Sequence, residues 1–277
     1  MINKNPVFIV SSGRSGTFAL VNALKENNEL VIHHEFLFEL VLKSAVLYKM
    51  KLINEDAIEK LLYDSYYSAI YYSRKKIWID CSNALPWIIK PLFKMFPKAK
   101  FIHLIRDGRK VVNSFYNKFE SLMYNDDCVI DMLNWLNNRN KYPIPPPEKK
   151  YWRPIPIENE EEYKNFISYD QFQRICYYWN ELNKHTANQF YNIPEEQKMV
   201  VKFEDLLTDN SMQKNIINFI GVKYTDQIFS SFSKPVNVQK PINYKFSINQ
   251  RKKFYDICNP MMEKYNYSEK NEYDVKY

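Results

Sequence analysis

The sequence predicts an α/β protein built on a central, mainly parallel sheet flanked by helices. Three observations carry this. Short apolar, β-branched runs alternate with amphipathic helical stretches. Two of these runs, at Val7–Val10 and Lys100–Ile105, end in a turn that leads directly into a helix, the unit from which parallel sheets are built. The 277 residues include only four glycines, and two of them, Gly13 and Gly16, sit in the first of those turns. Glycine there permits backbone angles and a close approach that other residues forbid.

The elements follow in order. PVFIVS over residues 6–11 reads as a buried strand, Gly13–Thr17 as the turn, and FALVNALK over residues 18–25 as a helix. Residues 36–50 and 55–73 read as two helices, the second capped by Asn54 with acids in its first turn. Ile77–Asp80 is a short strand, residues 85–96 an amphipathic helix stopped by Pro97, and KFIHLI over residues 100–105 another buried strand. Arg109–Met123 is helical, and Met199–Phe203 extended. Asn210 is expected to cap a helix that stops at Gly221, and Ser247 with Gln250 forms a capping box for a last helix reaching Tyr265. There is no internal repeat, and residues 1–277 are expected to form one domain. Six of the fourteen prolines crowd into residues 143–156. This predicts an inserted loop over about residues 140–165, either a surface excursion or a lid over an acceptor.

Composition narrows the function. Hydrophobic residues make up 45% and charged residues 26%, a globular balance. The longest apolar runs, VFIV and FLFELVL, fall far short of the roughly 20 residues of a membrane span. The opening Met1-Ile2-Asn3-Lys4-Asn5 has no secretory pattern, so a cytoplasmic location is expected. None of the four cysteines forms a CxxC pair, which predicts reduced thiols and argues against zinc. The net charge of +7 favours an anionic ligand and is too evenly spread to imply nucleic acid.

The first motif is Ser11-Ser12-Gly13-Arg14-Ser15-Gly16-Thr17, between a strand and a helix. Inward-facing backbone N–H groups and the positive end of the helix make such a turn an anion cradle. Ser15 and Thr17 add hydroxyls, and Arg14 adds a permanently charged planar fork. The triphosphatase pattern G-x-x-x-x-G-K-[ST] is not met, because no Lys follows Gly16. The second motif runs from Phe101 to Tyr116: Arg106 stands at a strand's C-terminal end, and Ser114 eight residues on, about two helical turns into the next helix. Two anion sites at one sheet edge suit a ligand with phosphate at both ends.

On these residues the chain resembles the sulfotransferases that use 3′-phosphoadenosine 5′-phosphosulfate. Gly13–Thr17 looks like their 5′-phosphosulfate loop in its Arg-Ser-Gly-Thr form, and Arg106 with Ser114 like their 3′-phosphate pair. Phe96–Ile102, Val201–Leu206 and Met261–Tyr267 resemble further stretches of the family, and residues 125–175 are the least similar. The resemblance implies a P-loop-like three-layer fold, no metal, 3′-phosphoadenosine 5′-phosphosulfate as donor and 3′-phosphoadenosine 5′-phosphate as product. It implies sulfuryl transfer to an acceptor hydroxyl or amine by in-line displacement. The acceptor could be a small molecule, a carbohydrate or a peptide, with no nucleic acid involved. It places Arg14 at the transferring group, Gly13, Ser15, Gly16 and Thr17 at the 5′-phosphate, Arg106 and Ser114 at the 3′-phosphate, and Lys245 against the nucleotide. Branches with Arg in this loop commonly use a Glu as base. That makes Glu35 the first choice, followed by His34 and His33, with Asp80 a minor alternative, otherwise a strand-end cap. At Asp80-Cys81-Ser82-Asn83 the cytosolic branch would carry a Lys and a catalytic His, and this chain has neither. His103, in mid-strand, reads as core. The rival readings are a nucleotide kinase or triphosphatase, and a non-catalytic nucleotide-binding module.

Overall fold

A computed structural model describes residues 5–119, 121–225, 244–269 and 273–275. The chain packs as two compact units. Of the described residues, the first comprises 5–48, 53–106 and 185–225, and the second 49–52, 107–119, 121–184, 244–269 and 273–275.

The first unit holds a five-stranded, wholly parallel sheet in the order β2-β3-β1-β4-β5: β1 (Val7–Val10), β2 (Leu30–His34), β3 (Ile77–Ser82), β4 (Lys100–Ile105) and β5 (Lys198–Lys202). Every residue of β1 is buried, because both faces of a central parallel strand are covered. Side-chain alternation then divides the core in two. Val7, Ile9, Ile79, Ile102, Leu104 and Val201 point to an aliphatic layer. This layer is completed by α1 (Thr17–Leu24), α10 (Phe203–Thr208) and α11 (Asn210–Ile220) through Leu20, Leu24, Leu206, Ile216 and Ile217. The alternate residues meet an aromatic layer: the Phe8 ring lies 5.8 Å from Tyr66, 6.4 Å from Trp78, 6.0 Å from Phe96 and 5.5 Å from Phe101. Sheet, aliphatic helices and aromatic helices make the three-layer α/β fold that the sequence implies.

Two connections matter for the site. After α2 (Phe38–Lys49), α3 (Glu55–Leu62) starts on Asn54, whose side chain accepts from Ala57 N–H as the sequence predicts. The helix then widens into a π-turn over Tyr63–Tyr67 before α4 (Ser68–Tyr71), and the π-turn holds the fully buried Tyr66. A 3₁₀ turn and α5 (Ile89–Met95) precede β4.

β2 is a strand where the sequence suggests only a connection. Its polar His33 and His34 mask the extended pattern, and pairing with β3 supplies the order instead. The cap of α11 is Asp209, whose carboxylate accepts from Ser211 N–H, rather than its neighbour Asn210. Gly221 ends the helix in the left-handed conformation as expected.

The second unit contains α6 (Gly108–Lys118), α7 (Asp126–Asn137), α8 (Tyr163–Ser168) and most of α9 (Gln171–Phe190). It also holds α12 (Ile248–Lys264), with the foreseen Ser247–Gln250 capping box, and a small antiparallel pair, β6 (Tyr244–Lys245) with β7 (Asp274–Val275). The second half of the proline-rich segment is packed in, with Tyr151, Arg153, Pro154, Ile155 and Pro156 all buried, whereas Pro143, Ile144 and Pro147 are exposed. Tyr124 donates to the Pro154 carbonyl at 2.6 Å, and the Arg153 guanidinium lies 5.0 Å from the Phe115 ring centre. No helix among the described residues is long and apolar enough to cross a membrane.

Phe8 joins the aromatic layer to the central strand, so Phe8→Ala is expected to lower the unfolding free energy by about 3–5 kcal/mol in urea titration, with little change in denaturant sensitivity.

Candidate active site

The turn after β1 is shaped by three left-handed residues: Gly13 (φ 76°), Arg14 (φ 56°) and Gly16 (φ 87°). For Arg14 that conformation costs about 1–2 kcal/mol, a strain kept where the surroundings demand it. Gly16 is obligatory on two counts. Its φ is unfavourable to other residues, and a Cβ there would fall 2.1 Å from the Phe203 ring. Ser11, Ser12 and Ser15 are buried and knit the turn together. Gly13 N–H donates to Ser11 Oγ at 3.2 Å, the Ser12 and Ser15 hydroxyls meet at 2.9 Å, and both reach the Gly13 carbonyl. The Ser15 hydroxyl is therefore engaged inside the loop.

Gly16 caps α1 with no side-chain hydrogen bond, and α1 has no acidic residue in its first turn. The positive end of its dipole is left uncompensated by the helix's own side chains, the condition that favours an anion. Arg106, just past β4, donates from Nη1 to the Arg14 carbonyl at 3.0 Å, and its guanidinium lies 5.4 Å from the Phe203 ring centre. The buried Arg106 Nε has no hydrogen-bond partner among the described residues. Phe203 thus lies against both Gly16 and Arg106. The sequence shows Phe203 only as the end of a strand. Its role depends on β5 lying beside β4.

The end of β2 reaches the same turn. Thr17 Oγ1 and His34 Nε2 are 3.1 Å apart, and His34 Nδ1 is 3.8 Å from a Glu35 carboxylate oxygen. Burial lowers the pKa of both His34 and His33, which keeps these rings neutral at neutral pH and lets His34 share a proton with Thr17. The side chains of His34 and Glu35 retain 30% and 24% of their exposure, so both stay within reach of solute. His33 instead packs between Phe36 and Trp78, at 4.9 and 5.1 Å. The structure therefore brings Arg14, Ser15, Gly16, Thr17, His34, Glu35 and Arg106 into one neighbourhood of the first unit.

The remaining sequence-derived positions are placed as follows. Asp80 is completely buried in β3 and faces Tyr66 and the Phe36 N–H. His103 is buried in β4 against Phe190, a core residue as expected. Ser114 is buried on α6, and Lys245 is exposed on β6, both in the second unit.

Comparisons with known proteins identify the family and the fold. Residues 6–141 match the model of the Sulfotransferase family, and the chain belongs to that family. Among solved structures it is similar to a sulfotransferase from Alicyclobacillus acidocaldarius, at 14% identity over 94% of this chain and 93% of that one, with a TM-score of 0.51. It is also similar to a sulfotransferase from Mycobacterium avium, at 9% identity over 94% of this chain and 76% of that one, with a TM-score of 0.52. No curated protein matches the chain in sequence. The chain is thus an enzyme, and its chemistry is sulfuryl transfer.

Two outcomes are expected. Gly16→Ala should lower the melting temperature and displace the Phe203 ring, and adding Phe203→Ala should recover part of that loss, the left-handed strain remaining. The second concerns Asp80, whose pKa burial pushes up to about 7 from an unfolded value near 3.9. Its stabilising contribution is present below about pH 4 and is lost as pH rises through about 7. His33 and His34 act in the opposite sense. The readout is therefore the difference between variants: Asp80→Asn should gain stability relative to wild type between pH 5 and pH 8 in thermal unfolding.

Proposed function

We propose that the enzyme transfers a sulfuryl group from 3′-phosphoadenosine 5′-phosphosulfate to an acceptor hydroxyl or amine, with Glu35 as the general base. The observation that carries this reading is the contact path Thr17–His34–Glu35, which ties a carboxylate to the uncapped end of α1. The residues suit the donor: a left-handed loop at a helix terminus with no acid in its own first turn, a glycine permitting close approach, and a buried guanidinium nitrogen with no partner among the described residues. When bound, such a donor supplies the sulfuryl group and a 5′-phosphate leaving group in an in-line displacement.

Each residue's role then follows from its chemistry. The backbone of Ser15, Gly16 and Thr17 holds a phosphate at the positive end of α1. Arg14 neutralises charge that grows on the leaving oxygen, and it does so as an electrostatic stabiliser, since a guanidinium does not give up its proton. Glu35 takes the proton of the attacking hydroxyl. Neutral His34 meets the Thr17 hydroxyl and lies beside Glu35, between the cradle and the base. Arg106 offers Nε to a second anionic group. Ser114 and Lys245, assigned to the 3′-phosphate and the nucleotide, rest on the sequence motifs. The acceptor is a small molecule, carbohydrate or peptide that carries the hydroxyl or amine.

With radiolabelled donor, Arg14→Ala is expected to reduce transfer by at least a hundredfold while the protein remains folded. Arg106→Ala should mainly weaken binding of 3′-phosphoadenosine 5′-phosphate in calorimetry, by about tenfold or more. Glu35→Gln should cut turnover by about 10²–10⁴-fold with that affinity nearly unchanged. Full turnover in Glu35→Gln would remove Glu35 from the base role.

A further inference from the structure

We propose that Asp80 and Tyr66 form a buried clamp that fixes the turn carrying Glu35 and so sets the position of its carboxylate for proton transfer. This rests on the reading of Glu35 as base and adds a layer of residues that do not touch substrate.

The argument starts from where Asp80 stands. It lies in the middle of β3, paired in register with Phe8 on β1 and His33 on β2, and it is fully buried. The strand's backbone pairs with neighbours on both sides, so the sheet does not need a carboxyl group here. In the aromatic layer an apolar side chain would serve packing better, because burying a carboxylate is costly unless both oxygens are satisfied. They are satisfied. One oxygen accepts from the Tyr66 hydroxyl at 2.7 Å, and the other from Phe36 N–H at 3.0 Å.

Phe36 N–H belongs to the turn that follows the base. Next to it, Glu35 N–H donates to the Cys81 carbonyl at 3.0 Å. Two successive amides of the turn are thus pinned to two successive residues of β3. The turn needs pinning, since Glu35 (φ 61°) and Leu37 (φ 47°) are both left-handed without being glycine. Such strain persists only where the surroundings over-determine it. The Phe36 ring completes the grip at 5.4 Å from Tyr66 and 5.2 Å from Trp78. Tyr66 reaches Asp80 from the π-turn, an irregularity frequent at functional sites.

The groups facing Asp80 are Tyr66 from the π-turn, Glu35 and the Phe36 amide from the turn, Cys81 from its own strand and His33 from β2. Burial raises the Asp80 pKa, and the Glu35 charge raises it further. The clamp therefore also adds an ionisation near neutrality to the pH dependence of the base.

The test uses the full chain with two probes, sulfate release from radiolabelled 3′-phosphoadenosine 5′-phosphosulfate into water and calorimetric binding of 3′-phosphoadenosine 5′-phosphate. Amide hydrogen exchange at Glu35 and Phe36 is followed in parallel. Asp80→Ala is expected to slow sulfate release at least tenfold and Tyr66→Phe several-fold. Product affinity should stay within twofold in both, and the two amides should exchange faster. Asp80→Asn, which keeps an oxygen for Phe36 N–H, should recover most of the rate lost in Asp80→Ala, and its pH–rate profile should lack the inflection near pH 7. If Asp80→Ala does not fold, Tyr66→Phe and Asp80→Asn decide. Wild-type rates, wild-type pH profiles and unchanged exchange in those variants would overturn the clamp. Glu35→Gln run alongside separates the two readings. Full rate there removes the base and leaves exchange to judge the clamp, whereas a slow Glu35→Gln with a wild-type Tyr66→Phe and Asp80→Asn removes the clamp alone.

Discussion

The structure of the site depends on the contact between Gly16 and the ring of Phe203. The turn between β1 and α1 can place its backbone at the helix terminus only if Gly16 adopts φ 87° and presents no side chain to that ring. The same ring receives the guanidinium of Arg106, which in turn binds the Arg14 carbonyl. One aromatic residue at the end of β5 therefore braces the loop after β1 and the cation after β4. This is possible because the three strands are consecutive neighbours in a parallel sheet whose C-terminal ends share an edge.

Electrostatics organises the rest of that edge. An uncapped helix end, Arg14 and Arg106 make the cradle positive, while His33 and His34 are kept neutral by burial. Glu35, an acid beside the cradle, comes within 3.8 Å of the His34 imidazole, which itself meets Thr17. The buried Asp80 extends this arrangement inward, where its charge is governed by solvation.

Much of the fold was legible because its strongest signals are local. β4 runs over the KFIHLI stretch read from sequence, since a bounded, β-branched apolar run suits a doubly covered strand. The Ser247–Gln250 box and the Asn54 cap were legible for the same reason, as capping is settled within four residues. β2 and the twenty residues of α9 were not foreseen: the first carries histidines on a half-exposed edge, and the second is rich in polar and aromatic side chains. At the site, the scarcity of glycine drew attention to the turn, and Arg14, Thr17, His34, Glu35 and Arg106 could be picked out. Phe203 and Tyr66 could not, because each acquires its role from a residue more than ten positions away in sequence.

The central claim is that the turn after β1 grips the 5′-phosphate of an adenosine bisphosphate. A crystal structure of the complex with 3′-phosphoadenosine 5′-phosphate tests it most directly. The account predicts the 5′-phosphate within hydrogen-bond distance of the Ser15, Gly16 and Thr17 amides, with Glu35 opening toward the face where sulfur would sit. A 5′-phosphate bound away from that turn would contradict it.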